Sequence, residues 1–134
     1  MRLVVDASTI VQVSVAGGAL GPLEGHHLTA PPILASEVTS VLSELAYRGE
    51  IPPEAARTAV SRLATLPISY ERPHDLYARA WDLARQLGWA KSYDAEYVVL
   101  AIISGSPLVT LDERLRRGVR HLVDVPVVTE LAPT

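Results

Sequence analysis

Short apolar runs alternate along the chain with longer stretches of helical period. "RLVV" (2–5) is brief, apolar and β-branched, the pattern of a buried strand. "TIVQVSVAGGALG" starts as a helix and ends in a glycine-rich loop. "HHLTAPP" reads as a second short strand stopped by Pro31 and Pro32, and those prolines suit the start of a helix in which "ILASEVTSVLSELAYRG" runs to Gly49. On that helix Leu34, Val38, Val41 and Leu45 would form the buried stripe, with Glu37 at its margin. Residues 52–66 form a further helix, "PISYE" a brief strand, and "HDLYARAWDLARQLG" a helix closed by Gly88. "YDAEYVVLAIISG" is so apolar that its helix must be largely buried. "SPLVTL" is a strand, "DERLRRG" a short helix and "VPVVTEL" an expected last strand.

Strands alternating with helices give an α/β fold with a small, mainly parallel sheet. Helices outnumber strands, which adds a helical hairpin to a three-layer sandwich. No linker, repeat or low-complexity tract divides the 134 residues, so one domain spanning 1–134 is expected. A hydrophobic content of 49% implies a packed core. The absence of cysteine excludes disulfides and thiolate metal sites and makes the cytoplasm the expected compartment. The longest apolar run, "YVVLAII", falls far short of the ~18 residues that would span a bilayer. Asp6 and Gln12 interrupt the first apolar stretch, so no cleaved leader is expected there.

A net charge of −3 does not by itself point to a nucleic-acid partner. Eleven of the twelve basic residues are arginine, however, the side chain suited to bidentate phosphate contacts. Four fall together in "ERLRRGVRH" as Arg114, Arg116, Arg117 and Arg120, which a solvated helix face with Glu113 paired to Arg117 would also explain.

The acids divide by position. Asp6 and Asp112 each follow an apolar strand and precede a helix, a position that serves equally for a helix cap and for a ligand site at the carboxyl end of a sheet. Asp112 could also pair with Arg116. Asp94 opens the apolar helix, where the helix dipole favours a carboxylate and Lys91 is near enough to pair. Glu96 falls on another face and is expected to be solvated. Glu37 is harder to explain, because its neighbours Leu34, Ser40 and Val41 cannot neutralise it. Glu44 has Arg48 at i+4. His26 and His27 are adjacent, point to opposite faces of a strand and cannot chelate together.

Placed on the fold, Asp6, Glu37, Asp94 and Asp112 converge at one end of the sheet. Four such acids without bases repel one another, so the site should hold divalent cations, and all-oxygen ligands point to Mg²⁺, with Mn²⁺ able to substitute. Such ions can support phosphodiester hydrolysis. In order and spacing, "VVDASTIV", "SEVTSVL", "YDAEYVVLA" and "PLVTLDERL" resemble the four acidic motifs of PIN-domain ribonucleases, and most closely the VapC-type toxins of bacterial toxin–antitoxin pairs. The resemblance runs from Leu3 to about Leu115. It implies Asp6, Glu37, Asp94 and Asp112 as the catalytic, metal-ligating quartet, with Ser8 and Thr110 as supporting hydroxyls. It also implies an RNA substrate, a small antitoxin partner whose tail crosses the acidic pocket, and a homodimer. One departure stands out: where many members carry a further acid or Asn after the fourth motif, this chain has Glu113 and then arginines, which leaves the second metal position open.

Without the quartet, eleven acids face twelve bases, a balance compatible with RNA. Two other enzyme or signalling classes with acidic α/β pockets fit less well. A receiver domain needs paired acids after the first strand and a lysine near the last strands, whereas Asp6 is followed by Ala7 and the only lysine is Lys91. A two-aspartate phosphatase lacks its second acid in "DAS". A non-catalytic interaction module on the same fold remains the main competitor to the Mg²⁺-dependent endoribonuclease.

Overall fold

Leu3, Val4 and Val5 are fully buried, the environment that a short β-branched run requires, and they form β1 (Arg2–Val5) in a computed structural model that describes residues 1–131. The last three residues of the expected domain, 132–134, lie outside the described residues. α1 (Ala7–Val15) follows at once, capped by Asp6. A glycine-rich turn leads to β2 (His27–Ala30), then α2 (Leu34–Tyr47) and α3 (Pro53–Leu63) form the expected hairpin. β3 (Ile68–Tyr70), α4 (Leu76–Leu87), α5 (Tyr93–Ser104), β4 (Leu108–Val109) and α6 (Glu113–Val119) complete the order. α4 and α5 end at Gly88 and Gly105, whose φ values of 73° and 62° give the left-handed turn that closes each helix.

All four strands are parallel, in the order β3-β2-β1-β4. β1 is therefore central, with Val4 opposite Leu108 and Val5 opposite Val109 on one side, and Leu3 opposite Leu28 on the other. The chain winds one way from β1 to β2 and β3 and then returns to the other side of β1. The gap between the ends of β1 and β4 is the switch point at which open α/β sheets bind ligands. Asp6 and Asp112 sit at those two ends.

Five of the six helices fall into two packed groups, α1 with α2 and α3, and α4 with α5, which rests on β1 and β4. α5 is covered nearly all round: every residue from Ala95 to Ala101 is buried, including Tyr97. On α2 the buried stripe is Leu34, Val38 and Leu42. Val41, expected in it, is 36% exposed, and Leu45 is only partly covered. The helix is thus rotated slightly from the orientation expected.

The expected last strand over "VPVVTEL" is absent. Pro126 has no N–H to offer a ladder. A single backbone bond, Leu108 N to Asp124 O at 2.9 Å, joins this segment to β4, after which Val128–Glu130 forms a 3₁₀ turn. Among the described residues, no helix is long and apolar enough to cross a membrane.

Candidate active site

The site begins at Asp6, where β1 gives way to α1. Its backbone stays extended and bonds to β4, Asp6 N to Val109 O at 3.2 Å. Its side chain is 4% exposed and fixed from four directions. Oδ1 accepts from Ser8 Oγ (2.7 Å), Thr9 N (3.1 Å) and Thr9 Oγ1 (3.1 Å), while Oδ2 accepts from Thr110 Oγ1. Asp6 is therefore a helix cap and a buried carboxylate at once. Burial pushes its pKa up, and the hydrogen bonds from Thr110, Ser8 and Thr9 oppose that rise.

Thr110 ties the two strand ends together. Its hydroxyl donates to Asp6 and accepts from Asp112 N at 3.0 Å, while Ser8 Oγ accepts from Leu111 N at 3.0 Å. Asp112 caps α6, its Oδ1 accepting from Arg114 N (2.9 Å) and Leu115 N (3.2 Å), and its carboxylate is exposed. The pairing of Asp112 with Arg116 expected from spacing does not form. Arg116 lies 3.3 Å from Glu113 and donates to the carbonyls of Thr110 and Val125, both at 3.1 Å, so it holds the β4 end in place from behind. Glu113 is thereby matched with Arg116 rather than Arg117, and Arg48 pairs with Glu50 rather than Glu44.

Beside these ends opens a cavity of about 560 Å³ lined by acids from three elements: Glu37 of α2, Asp94 of α5 and Asp112. Asp6 lies behind this lining. Desolvation raises the Asp94 pKa most, followed by the charges of Asp6 and Asp112, with Arg114 opposing. Glu37 is raised by burial first; a hydrogen bond from Tyr97 opposes, and the charges of Asp94 and Asp6 add to the rise. Asp94 and Glu37 thus each bear the charge of other acids at this end of the sheet. Lys91 faces the same cavity but makes no ion pair with Asp94 among the described residues.

Sequence reasoning missed Tyr97. Its hydroxyl donates to Glu37 Oε1 from a ring that is otherwise buried, which supplies the partner that no neighbour on α2 could. A buried tyrosine needs a partner for its hydroxyl, and Tyr97 stands at i+3 from Asp94, on the face leading to the site. That spacing was the available signal. Glu96, expected to be solvated, is only 7% exposed; burial, and then the charge of Glu37, push its pKa up. It stands in the stretch of α5, residues 95–101, that is buried at every position and so leaves it no solvated face. His27 bonds to Ser69 on the neighbouring strand (3.1 Å), at a distance in the chain from the acids.

The oxygen-only donor set matches a hard divalent cation in kind. Among the described residues, no three His, Asp or Glu side chains gather closely enough to hold a single ion. Glu37 and Asp94 are raised first by desolvation and then by the charges of other acids, and both effects are ones that a nearby cation would offset.

An all-parallel sheet with acids at its switch point defines the class. The sequence model of the PIN domain matches residues 3–120, and the chain belongs to the PIN domain family. Among its relatives is Ribonuclease VapC3 of Mycobacterium tuberculosis, 30% identical over 122 residues that cover 87% of each chain. Solved structures share the fold. PAE2754 from Pyrobaculum aerophilum superposes with a TM-score of 0.69 at 23% identity, covering 92% of this chain and 89% of that one. VapBC-1 from nontypeable Haemophilus influenzae gives 0.62 at 15% identity, with coverages of 97% and 100%. VapBC2 from Rickettsia felis, solved bound to a DNA fragment from its promoter, gives 0.61 at 14%, with coverages of 94% and 98%.

Proposed function

We propose that this protein is a Mg²⁺-dependent endoribonuclease, the toxin of a VapBC-type pair. The observation that carries the reading is geometric: Glu37, Asp94 and Asp112 line one cavity, and Asp6 is tied through Thr110 to the same end of the sheet, four acids brought from distant parts of the chain. Family membership and the ribonuclease relative supply the chemistry. Asp6, Asp94 and Asp112 would hold the cation in part through bound water, since among the described residues no three acids gather closely enough to ligate one ion directly, and Glu37 would complete the pocket. A bound divalent ion supplies charge stabilisation and a more acidic water for phosphodiester hydrolysis.

The chain's own residues prepare the site. Ser8, Thr9 and Thr110 keep the Asp6 carboxylate in one orientation, so little ordering is left to occur when a ligand arrives. Tyr97 holds Glu37 toward the cavity, and its hydrogen bond favours the ionised carboxylate against the effect of burial. Neither the reading nor the site calls for a covalent nucleophile. Two partners follow from the same reading: a small antitoxin, for which an inserted arginine would suit the uncompensated carboxylates, and a second copy of the chain in a symmetric dimer. The neighbouring VapBC structures support the first of these.

The test is cleavage of a mixed RNA pool with Mg²⁺, with EDTA, and with the Asp6→Asn variant. The reading expects cleavage in the first case alone. Undiminished cleavage by Asp6→Asn would remove the site assignment, and no cleavage by the native chain would remove the function.

A further inference from the structure

The cavity that the acids line also holds residues of another kind. Trp89, Lys91, Tyr93 and Arg114 line the same cavity as Glu37, Asp94 and Asp112. The chain contains only seven aromatic residues and one lysine, so two aromatics and the sole lysine at one cavity make an uncommon concentration. Tyr93 is 48% exposed, and Lys91 and Arg114 are exposed as well. Among the described residues, neither cation is in an ion pair. Trp89 is fixed: its carbonyl accepts from Arg85, and its ring packs on α6 at Gly118, where an added Cβ would lie 3.7 Å from Trp89 Cζ2.

We infer that this part of the lining is a nucleotide-positioning surface, which holds single-stranded RNA by stacking one base on Tyr93 and by placing the flanking phosphates at Lys91 and Arg114. The inference rests on the ribonuclease reading and adds to it the residues that seat the substrate. The physical need is specific. A pocket lined by acids repels a phosphodiester, so the backbone requires cations at its edge that are not locked in ion pairs. Lys91 and Arg114 line the cavity outside any ion pair among the described residues, and the charge of Arg114 also bears on Asp94. An exposed aromatic ring stacks on any unpaired base, whereas a base inside a duplex has no free face to present. The surface therefore selects single strands over duplexes and demands little of the base's identity.

Cleavage kinetics on a fluorescent single-stranded oligoribonucleotide test this, with the native chain and Asp6→Asn run alongside. Tyr93→Leu should raise KM about tenfold, and Tyr93→Phe, which keeps the ring, should restore it. kcat should stay within about twofold in both variants. Lys91→Gln and Arg114→Gln should each flatten the fall of log(kcat/KM) with log salt by about 0.7. Annealing the complementary strand should suppress cleavage by the native chain. Unchanged KM and unchanged salt slopes in a chain that still cleaves in an Asp6-dependent way would overturn the inference and leave the ribonuclease reading standing. They would return Lys91 and Arg114 to balancing the acids, or give this part of the lining to a protein partner. A native chain that cleaves no RNA would defeat both.

Discussion

The ends of β1 and β4 look alike in sequence and differ in the folded chain. Each is an apolar strand, then an aspartate, then a helix that the aspartate caps. Asp6 lies at the end of the central strand, covered and gripped by three side-chain hydroxyls as well as the Thr9 amide. Asp112 lies at the end of the edge strand and is exposed, and its side chain bonds only to the backbone amides of its own helix. A motif places a carboxylate; the strand's rank in the sheet decides how firmly it is held. Capping and ligand binding, which compete as explanations in the sequence, are not alternatives here. One geometry performs the first and leaves oxygens disposed for the second.

Thr110 is where the comparison can be broken most severely, because it touches both ends. Thr110→Val keeps the shape but removes the hydroxyl between Asp6 and Asp112. RNA cleavage should fall by roughly 10–100-fold, as when an outer partner of a metal ligand is lost. Chemical denaturation should show a stability loss of only about 1 kcal/mol. Equal activity in the variant would mean that the hydrogen bond to Asp6 is structural alone.

A smaller effect separates the two roles of Asp112. Asp112→Ala removes the α6 cap and should cost about 1 kcal/mol in urea unfolding. Asp112→Asn caps nearly as well and should recover most of that stability, yet it should leave cleavage as impaired as the alanine does. Recovery of both together would make Asp112 a cap and nothing more.

The smallest effect concerns pH. Desolvation, and then the charges of Asp6 and Asp112, hold the folded pKa of Asp94 above the ordinary aspartate value. Between the unfolded and folded values the native state holds more protons, so stability falls as pH rises through that window and stays lowered above it. In metal-free protein, Asp94→Asn should therefore match the native chain below a pH of about 4 and become the more stable of the two above the window. Parallel melting curves against pH in EDTA measure this. A gap of the opposite sign would show that Asp94 is stabilised by its surroundings rather than strained.

Much of this was legible in the sequence because it depends on local pattern. The four strands and the buried α5 were legible from apolar runs and their boundaries, as were the positions of Asp6 and Asp112 after their strands. What was hidden depends on how elements pack. Tyr97 meets Glu37 across 60 residues of chain, and only the approach of α5 to α2 creates that bond. Glu96 carries a polar residue's expectation into the stretch of α5, residues 95–101, that is buried throughout. The apolar "VPVVTEL" has a strand's composition, but one proline and a single ladder bond leave it a covering segment. The ion pairs were misassigned because spacing allows several partners for each arginine and packing selects one. Arg116 is drawn to the carbonyls of Thr110 and Val125, which sets it beside Glu113 rather than Asp112.

The central claim is that like-charged acids at the switch point are relieved by a divalent cation. The most direct measurement is the melting temperature of the native chain and of Asp94→Asn, each in EDTA and in Mn²⁺ or Mg²⁺. At about ten times the dissociation constant, linkage gives the native chain roughly 1.4 kcal/mol. For a domain of this length that is a rise of about 3–7 °C. The account predicts that rise in the native chain and little or none in Asp94→Asn. An equal rise in both, or none in either, would contradict it.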